Sequence, residues 1–427
     1  MKIAIAGYGI EGKSSYEYYK RRGDDITILD ERSDLADLPL GVKSVLGSKA
    51  FENLADFDMV IRAPSLPPSR LETAQKVWSA TNEFFAECPA PIIGVTGTKG
   101  KGTTASLIAS ILKKAGKSVY LVGNIGVPAL NELSKVTPND VVVYELSSFQ
   151  LWDIKKSPHI AVVLMIEPDH LEVHMDFQEY VEAKRMIVAA QSENDTVVFA
   201  ANNEHSALIA NASKARKVGV QLPDFAHVTN GFFWYAGQKL CPVSVLTLAG
   251  TFNQDNACAA IAAVWEYVKD GDIIAGGLAD FKGLSHRLKL VRKVNGVEYY
   301  DNSIGTTIGS AVASIRSFSQ PKVVILGGSS KGPTNFDELA TVAAQEGVKK
   351  AILIGEQAPV IDAAFTAAGV PLENLGQNVT MVDVVHHAQS AAASGDVVIL
   401  SPACASFDMF KNYADRGDQF VAAVNSL

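Results

Sequence analysis

From Pro91 to Leu112 the chain reads PIIGVTGTKGKGTTASLIASIL. An apolar run (Ile92, Ile93, Val95) meets a loop with glycines at 94, 97, 100 and 102, and small and apolar residues follow at helical spacing through Leu107, Ile108, Ile111 and Leu112. This predicts a strand, a phosphate loop and a helix. Glycines let successive backbone N–H groups converge on a polyanion, and the loop opens onto a helix N-terminus whose dipole favours negative charge. In such loops a lysine neutralises the β- and γ-phosphates and a following hydroxyl holds magnesium. Gly97, Thr98, Lys99, Gly100, Lys101, Gly102, Thr103 and Thr104 are therefore candidate ATP contacts. Because Gly102 stands where a hydroxyl is usual, the metal ligand is expected at Thr103. An ordinary glycine-rich turn is the alternative.

A strand–loop–helix unit of this kind belongs in an α/β fold, and 427 residues, 48 % of them hydrophobic, suffice for two or three domains. The net charge of -8 and pI near 5.6 argue against a nucleic-acid surface, which needs basic patches. Small-molecule substrates are expected instead, handled by a monomer. Cys88, Cys241, Cys258 and Cys404 are scattered without C-x-x-C spacing, so neither a disulfide framework nor a zinc site is indicated. Lys2 to Ala6 enters a strand directly, without a signal pattern, and no apolar run reaches bilayer length. A cytoplasmic location follows as the expectation.

The first domain is expected over 1–89, Rossmann-like. KIAIA leads into Gly7-x-Gly9-x-x-Gly12 and a helix, and a second strand ends in Asp30, the dinucleotide fingerprint that by itself predicts NAD with Asp30 on a ribose hydroxyl. The same turn can cradle any nucleotide pyrophosphate. The second domain, 90–286, carries the phosphate loop on a mostly parallel sheet. An apolar strand from Asp140 to Tyr144 delivers Glu145, then Ser147 and Ser148, and a carboxylate there can take a magnesium bridging phosphates. A strand from Ile160 to Ile166 runs into Glu167 through His174, where His170 and His174 among acids suit a metal or substrate corner, the alternative being a satisfied structural histidine. The helix from Phe177 to Ala190 reads by charge pattern as a solvated face, which leaves Lys184 unremarkable. Asn253 and Asn256 open another helix and suit either an adenine edge or an N-cap. The third domain, 287–427, is expected to be a second Rossmann-like sheet. Arg287 follows a hinge-like Gly283-Leu284-Ser285-His286 and suits either a phosphate or the surface.

Read together, GVTGTKGKGTT, GNIG, ELSSFQL, PDHLEVH, EAKRMI, GTFNQDN, GLSHRL and SPACASFDMFKNYADRGDQF follow the order and spacing of the Mur ligases of peptidoglycan synthesis, and the chain resembles that family over nearly its full length. The resemblance implies three domains, for a UDP-sugar, ATP and an incoming amino acid. It implies an ATP-dependent ligase that adds glutamate, expected as the D-enantiomer, to UDP-N-acetylmuramoyl-L-alanine through an acyl phosphate. It gives Lys101 the phosphates, and Glu145, His170 and a carbamylated Lys184 two magnesium ions, against the bland reading of Lys184. It implies Asn256 at the adenine and Arg287 at a phosphate; Asn302 stands at the family's ribose position, where Asp301 next door is the candidate to serve the ribose. Ile10, Glu11, Asp30, Arg32, Asn124, Ser147 and His170 fall where the family holds the UDP-substrate, and Thr306, Lys331, Ser406 and Tyr413 where it holds the amino acid.

Departures from the family pattern are Gly102, Met165, Phe252, Asn302 in place of a ribose-binding Asp, and Ile304 in place of a lysine near the glutamate. An L-glutamate-adding variant also lacks that lysine. A folate polyglutamate synthetase fits ELSSFQ and SPACASFD less well, and an NAD-binding oxidoreductase or sensor would use the Gly7 turn alone.

Overall fold

The structure, a computed structural model, describes residues 1–330 and 334–427. It is an α/β protein with mostly parallel sheets, and its contacts divide it into two compact units, 1–246 with 254–281, and 247–253 with 282–427. Among the described residues no helix is long and apolar enough to cross a membrane.

The first unit opens with β1 (Lys2–Ala6), α1 (Ile10–Arg21), β2 (Asp25–Asp30), β3 (Lys43–Leu46), β4 (Met59–Arg62), β5 (Val77–Ser79) and α2 (Ala80–Glu87). Its five strands are all parallel, in the order β3-β2-β1-β4-β5. Ile3 to Ala6 are buried without alternation, as a central parallel strand requires, because both faces are covered.

A second sheet follows in the same unit, from β6 (Ile92–Thr96), α3 (Lys101–Lys114), β7 (Val119–Gly123), α4 (Ala129–Glu132), β8 (Val141–Glu145), α5 (Ser148–Leu151), β9 (Ile160–Val163), α6 (Phe177–Arg185), β10 (Thr196–Ala200), α7 (Glu204–Ala212) and β11 (Arg216–Val220). The six strands run parallel in the order β11-β10-β9-β6-β8-β7. The chain thus crosses from β8, on one side of β6, to β9 on the other, and such a reversal opens a crevice at the C-terminal strand ends. β9 stops at Val163 rather than Ile166, because its neighbour β6 turns into the glycine loop at Thr96 and takes the ladder with it. A small antiparallel sheet, β12 (His227–Thr229), β13 (Phe232–Tyr235) and β14 (Gln238–Pro242), precedes α8 (Phe252–Val264) and α9 (Gly271–Asp280).

The second unit holds β15 (Lys289–Val294), β16 (Val297–Asp301), α10 (Ile308–Arg316), β17 (Lys322–Gly327), α11 (Asp337–Gln345), β18 (Val348–Ile354), α12 (Ala358–Ala367), β19 (Leu372–Gly376), α13 (Met381–Ala391), β20 (Val397–Leu400) and α14 (Tyr413–Asn425). Its order is β15-β16-β20-β17-β18-β19, parallel except for the β15–β16 pair. Beyond the four strand-to-loop units that VEYYDNSIGTT, KVVILGGSSKG, KKAILIG and DVVILSPACASFD predict, it has two further strands, β15 and β19.

Candidate functional site

The loop after β6 is shaped by contacts only glycine permits. Gly97 has φ +146, where an added Cβ would lie 2.7 Å from the Leu164 Cβ, and Gly100 has φ +84, where it would meet the Asn256 Oδ1 at 2.3 Å. Asn256, on α8, is thus packed on the phosphate loop, and its Oδ1 also accepts from Thr104 Oγ1 at 3.3 Å. Thr98 turns inward: its Oγ1 donates to the Glu167 carbonyl at 3.0 Å, accepts from the Glu167 amide, and lies 2.9 Å from the Tyr180 hydroxyl. Lys99 makes only an exposed pair with Glu167 at 3.1 Å, an interaction worth little. Gly102 is buried beside Thr103 and Thr104 in the first turns of α3.

Two lysine side chains converge on this loop. Lys101 Nζ folds back to donate to the carbonyls of Gly97 (3.1 Å) and Thr98 (2.9 Å). Lys184 Nζ donates to the same Gly97 carbonyl at 2.9 Å and lies 4.6 Å from the Tyr180 ring centroid. Lys184 is 1 % exposed, which corrects the reading of α6 as a solvated face. Tyr180 and Lys184, four residues apart, share the stripe that faces the core, and the outward charges of Glu182 and Arg185 masked it. Burial first, then the charge of Lys101, push the Lys184 amine well below the ordinary lysine range, against the opposing pull of Asp169 and Glu145.

Glu145 ends β8, 3 % exposed and in register with Val95 of β6. The histidine corner divides into two. His170, at φ +55, has a half-exposed side chain whose ring lies 5.1 Å from that of Phe149, with Glu172 and Asp169 oxygens at 3.5 and 3.7 Å. His174 is buried, stacked on Phe149 and 3.0 Å from Ser148 Oγ, a structural histidine whose pKa burial pushes down. Among the described residues no three His, Cys, Asp or Glu side chains gather as a metal cage. Magnesium held through phosphates needs only one or two protein carboxylates beside water, and the Glu145 carboxylate with the Thr103 hydroxyl, both at the C-terminal side of this sheet, supply that kind of donor set.

On the first sheet, Asp30 accepts from the Tyr8 amide at 2.8 Å and from Arg32 Nε at 2.9 Å, and the Arg32 guanidinium holds its carboxyl well below the usual range. Both oxygens expected to hold a ribose are therefore engaged inside the protein. Ile10 is 75 % exposed and the Arg32 side chain 56 %. The structure adds Gln150, which the sequence reading did not single out. Its Nε2 donates to Glu11 Oε1 at 2.5 Å, while its Oε1 accepts from Asn124 Nδ2 at 3.3 Å and from the Ser147 amide at 2.9 Å. One buried amide thus collects three of the expected substrate positions. The legible signal was the Ser-x-x-Gln capping box of α5. Burial pushes the Glu11 carboxyl up to about 7.

In the second unit, Asp301 is 2 % exposed, with Oδ2 2.7 Å from His286 Nδ1 and Oδ1 accepting from the Ser303 amide. Asn302 is wholly occupied: Nδ2 donates to Ser314 Oγ (2.8 Å) and Ser401 Oγ (3.1 Å), and Oδ1 accepts from the Leu288 amide. Arg287 is partly buried and Thr306 exposed; Ser406 is buried, and Tyr413, 42 % exposed, opens α14. Lys331 lies outside the described residues. A second residue missed from sequence is Arg416, fully buried, which donates to the carbonyls of Ser303, Cys404 and Ala405 and so joins the loops that carry Thr306 and Ser406.

Residues 95–264 match the Mur ligase middle domain, and residues 286–404 the Mur ligase glutamate ligase domain. The chain is 36 % identical to the UDP-N-acetylmuramoylalanine–D-glutamate ligase of Acetivibrio thermocellus, over 100 % of this chain and 96 % of that protein. It is 37 % identical to the ligase of the same name from Symbiobacterium thermophilum, over 100 % and 98 %. In fold it resembles the UDP-N-acetylmuramate–alanine ligase from Thermotoga maritima (TM-score 0.64, 18 % identity, 100 % and 99 % of the two chains). The MurF ligase from that organism, in complex with ADP, is also similar (TM-score 0.61, 17 % identity, 99 % and 93 %).

Proposed function

The chain belongs to the Mur ligase family, and from that premise we infer that it is an ATP-dependent ligase joining D-glutamate to UDP-N-acetylmuramoyl-L-alanine in peptidoglycan precursor synthesis. The substrate carboxylate attacks the γ-phosphorus and ADP leaves. The glutamate amine then attacks the resulting acyl phosphate, losing a proton, and phosphate departs as the amide forms. Such chemistry requires neutralised phosphates and a positioned carboxylate rather than a protein nucleophile.

The chain's own groups are suited to this. The N–H groups of the Gly97–Gly100 loop receive the phosphates, and Lys101 exchanges its bonds with the Gly97 and Thr98 carbonyls for bonds to phosphate oxygens. Magnesium, two ions in this reading, supplies charge screening when bound, and Thr103, Glu145, His170 and Lys184 as its carbamate are the residues that would hold it. The observation that carries the reading is the buried Lys184. Burial and the charge of Lys101 both disfavour the charged form of this amine, which favours the lone pair that adds to carbon dioxide, and the carbamate anion formed after proton loss would attract Lys101.

In the same reading Asn256, Arg287, Asp301 and Asn302 serve the nucleotide, Asp301 and Asn302 by shaping the strand end. Ile10, Glu11, Asp30, Arg32, Asn124, Ser147 and His170 serve the UDP-substrate, with Asp30 acting through Arg32 and Tyr8. Thr306, Lys331, Ser406 and Tyr413 serve glutamate. Domains at 1–89, 90–286 and 287–427, a monomer and a cytoplasmic location complete the proposal.

Phosphate release from ATP with UDP-N-acetylmuramoyl-L-alanine and each glutamate enantiomer tests it. Turnover with D-glutamate is expected, and no turnover with either enantiomer would overturn it. Turnover with L-glutamate alone would establish a second reading, which the apolar Ile304 favours because it supplies no cation for a dicarboxylic acid.

A further inference from the structure

Arg62 closes β4 with its side chain wholly buried, and no role described so far uses it. Its donors are nonetheless fully engaged. Nε and Nη2 fork onto Asp153 at 3.1 and 2.8 Å, Nη2 also reaches the Phe149 carbonyl at 2.9 Å, and Nη1 donates to the carbonyls of Ala63, Pro64 and Leu66 at 3.2, 3.0 and 3.0 Å. One guanidinium therefore fastens the loop after β4 in the first sheet to the segment 149–153 in the second.

Both fastened segments adjoin the residues proposed for the sugar nucleotide. Ala63 is the wall of the Gly7 turn, since a Cβ on Gly7 would lie 2.6 Å from the Ala63 Cβ, and that turn leads directly into Ile10 and Glu11. Phe149 sits between Ser148 and Gln150, the amide that holds Glu11, Asn124 and Ser147, and its ring is the surface on which His170 rests. A planar fork with five N–H donors fixes direction as well as distance, and the three donors of a flexible lysine cannot reproduce it.

We propose that Arg62 is a positioning residue for the sugar-nucleotide site, setting the spacing between the Gly7–Glu11 turn and the strand-end residues Asn124, Ser147 and His170. The inference rests on the functional reading above and names a residue that cannot itself touch the substrate.

The test is calorimetry on full-length protein with UDP-N-acetylmuramoyl-L-alanine and, separately, ADP. Arg62→Met is expected to weaken sugar-nucleotide binding by about tenfold or more, as misplaced contacts do, with ADP binding changed by less than about twofold; Arg62→Lys should recover only part. Equal losses for both ligands would mark Arg62 as a general stability residue, and unchanged sugar-nucleotide binding would leave it without a role; either result overturns the proposal. Should Arg62→Met not fold, Asp153→Asn decides, since it relaxes one arm of the fork and keeps the carbonyl bonds: weaker sugar-nucleotide binding supports the proposal and wild-type binding overturns it. Wild-type protein that fails to bind the sugar nucleotide at all would refute the functional reading instead.

Discussion

Lys101 and Lys184 share the Gly97 carbonyl, and two cations cannot both be inexpensive in one water-poor corner. The buried amine is the one that gives way. Lys184→Ala is expected to lower turnover by about a hundredfold or more, with part of it restored by short carboxylic acids that occupy the vacated place. Normal phosphate release without any additive would contradict the carbamate. Lys101→Ala should abolish phosphate release while calorimetry still detects the UDP-substrate, because the Lys101 ammonium donates to the Gly97 and Thr98 carbonyls of the loop proposed for the phosphates. Glu11 makes a prediction about pH. Its carboxyl is raised from 4.5 to about 7, so the folded protein holds that proton longer than the unfolded chain does. The stability it contributes is therefore complete below about pH 4.5 and lost as pH rises through about 7. Between about pH 5 and pH 8 the wild type should lose stability relative to Glu11→Gln, measured by urea midpoints; parallel curves would refute the raised value.

Elements differ in how openly their sequences declare them. The strands β6, β8 and β9 are near-continuous apolar runs up to Thr96 and Glu145 at the ends of β6 and β8, because both faces are covered, and that pattern is visible in the sequence. Helix α6 is the opposite case: periodicity tells which residues share a face, but not what that face will meet, and a lysine on the inward stripe reads like one on the outward stripe. The packing of α3 against α9 is similarly silent. Gly277 has the Ile111 Cα only 2.5 Å from where a Cβ would stand, so backbone approaches backbone. Gly277→Ala should destabilise the protein by about 1–3 kcal/mol through overpacking, read as a lower urea midpoint at unchanged slope. A substitution that leaves the midpoint in place would mean that the two helices are not held at this distance.

At the scale of the whole molecule, the first two sheets form one compact unit, although each alone has the strand order of a separate domain. Arg62 is one physical reason, since its partner Asp153 lies 91 positions away in the chain. A ligand that binds within this unit should stabilise it by mass action, and UDP-N-acetylmuramoyl-L-alanine at about a hundred times its Kd should add about 2.7 kcal/mol to the corresponding melting transition. NAD at the same concentration should add nothing, because both Asp30 oxygens are already engaged by Tyr8 and Arg32; an NAD-induced shift would revive the dinucleotide reading of the Gly7 turn. The phosphate loop, the apolar parallel strands and the order of motifs were legible in the sequence alone, because each depends on local backbone geometry or on side-chain period. Only the tertiary structure decided that Lys184 is buried under the loop, that Asn302 is absorbed by Ser314 and Ser401, that His174 is structural while His170 is open, and that Arg62 joins two sheets. Those outcomes depend on desolvation and on partners brought together from distant positions, and no local pattern of residues encodes either.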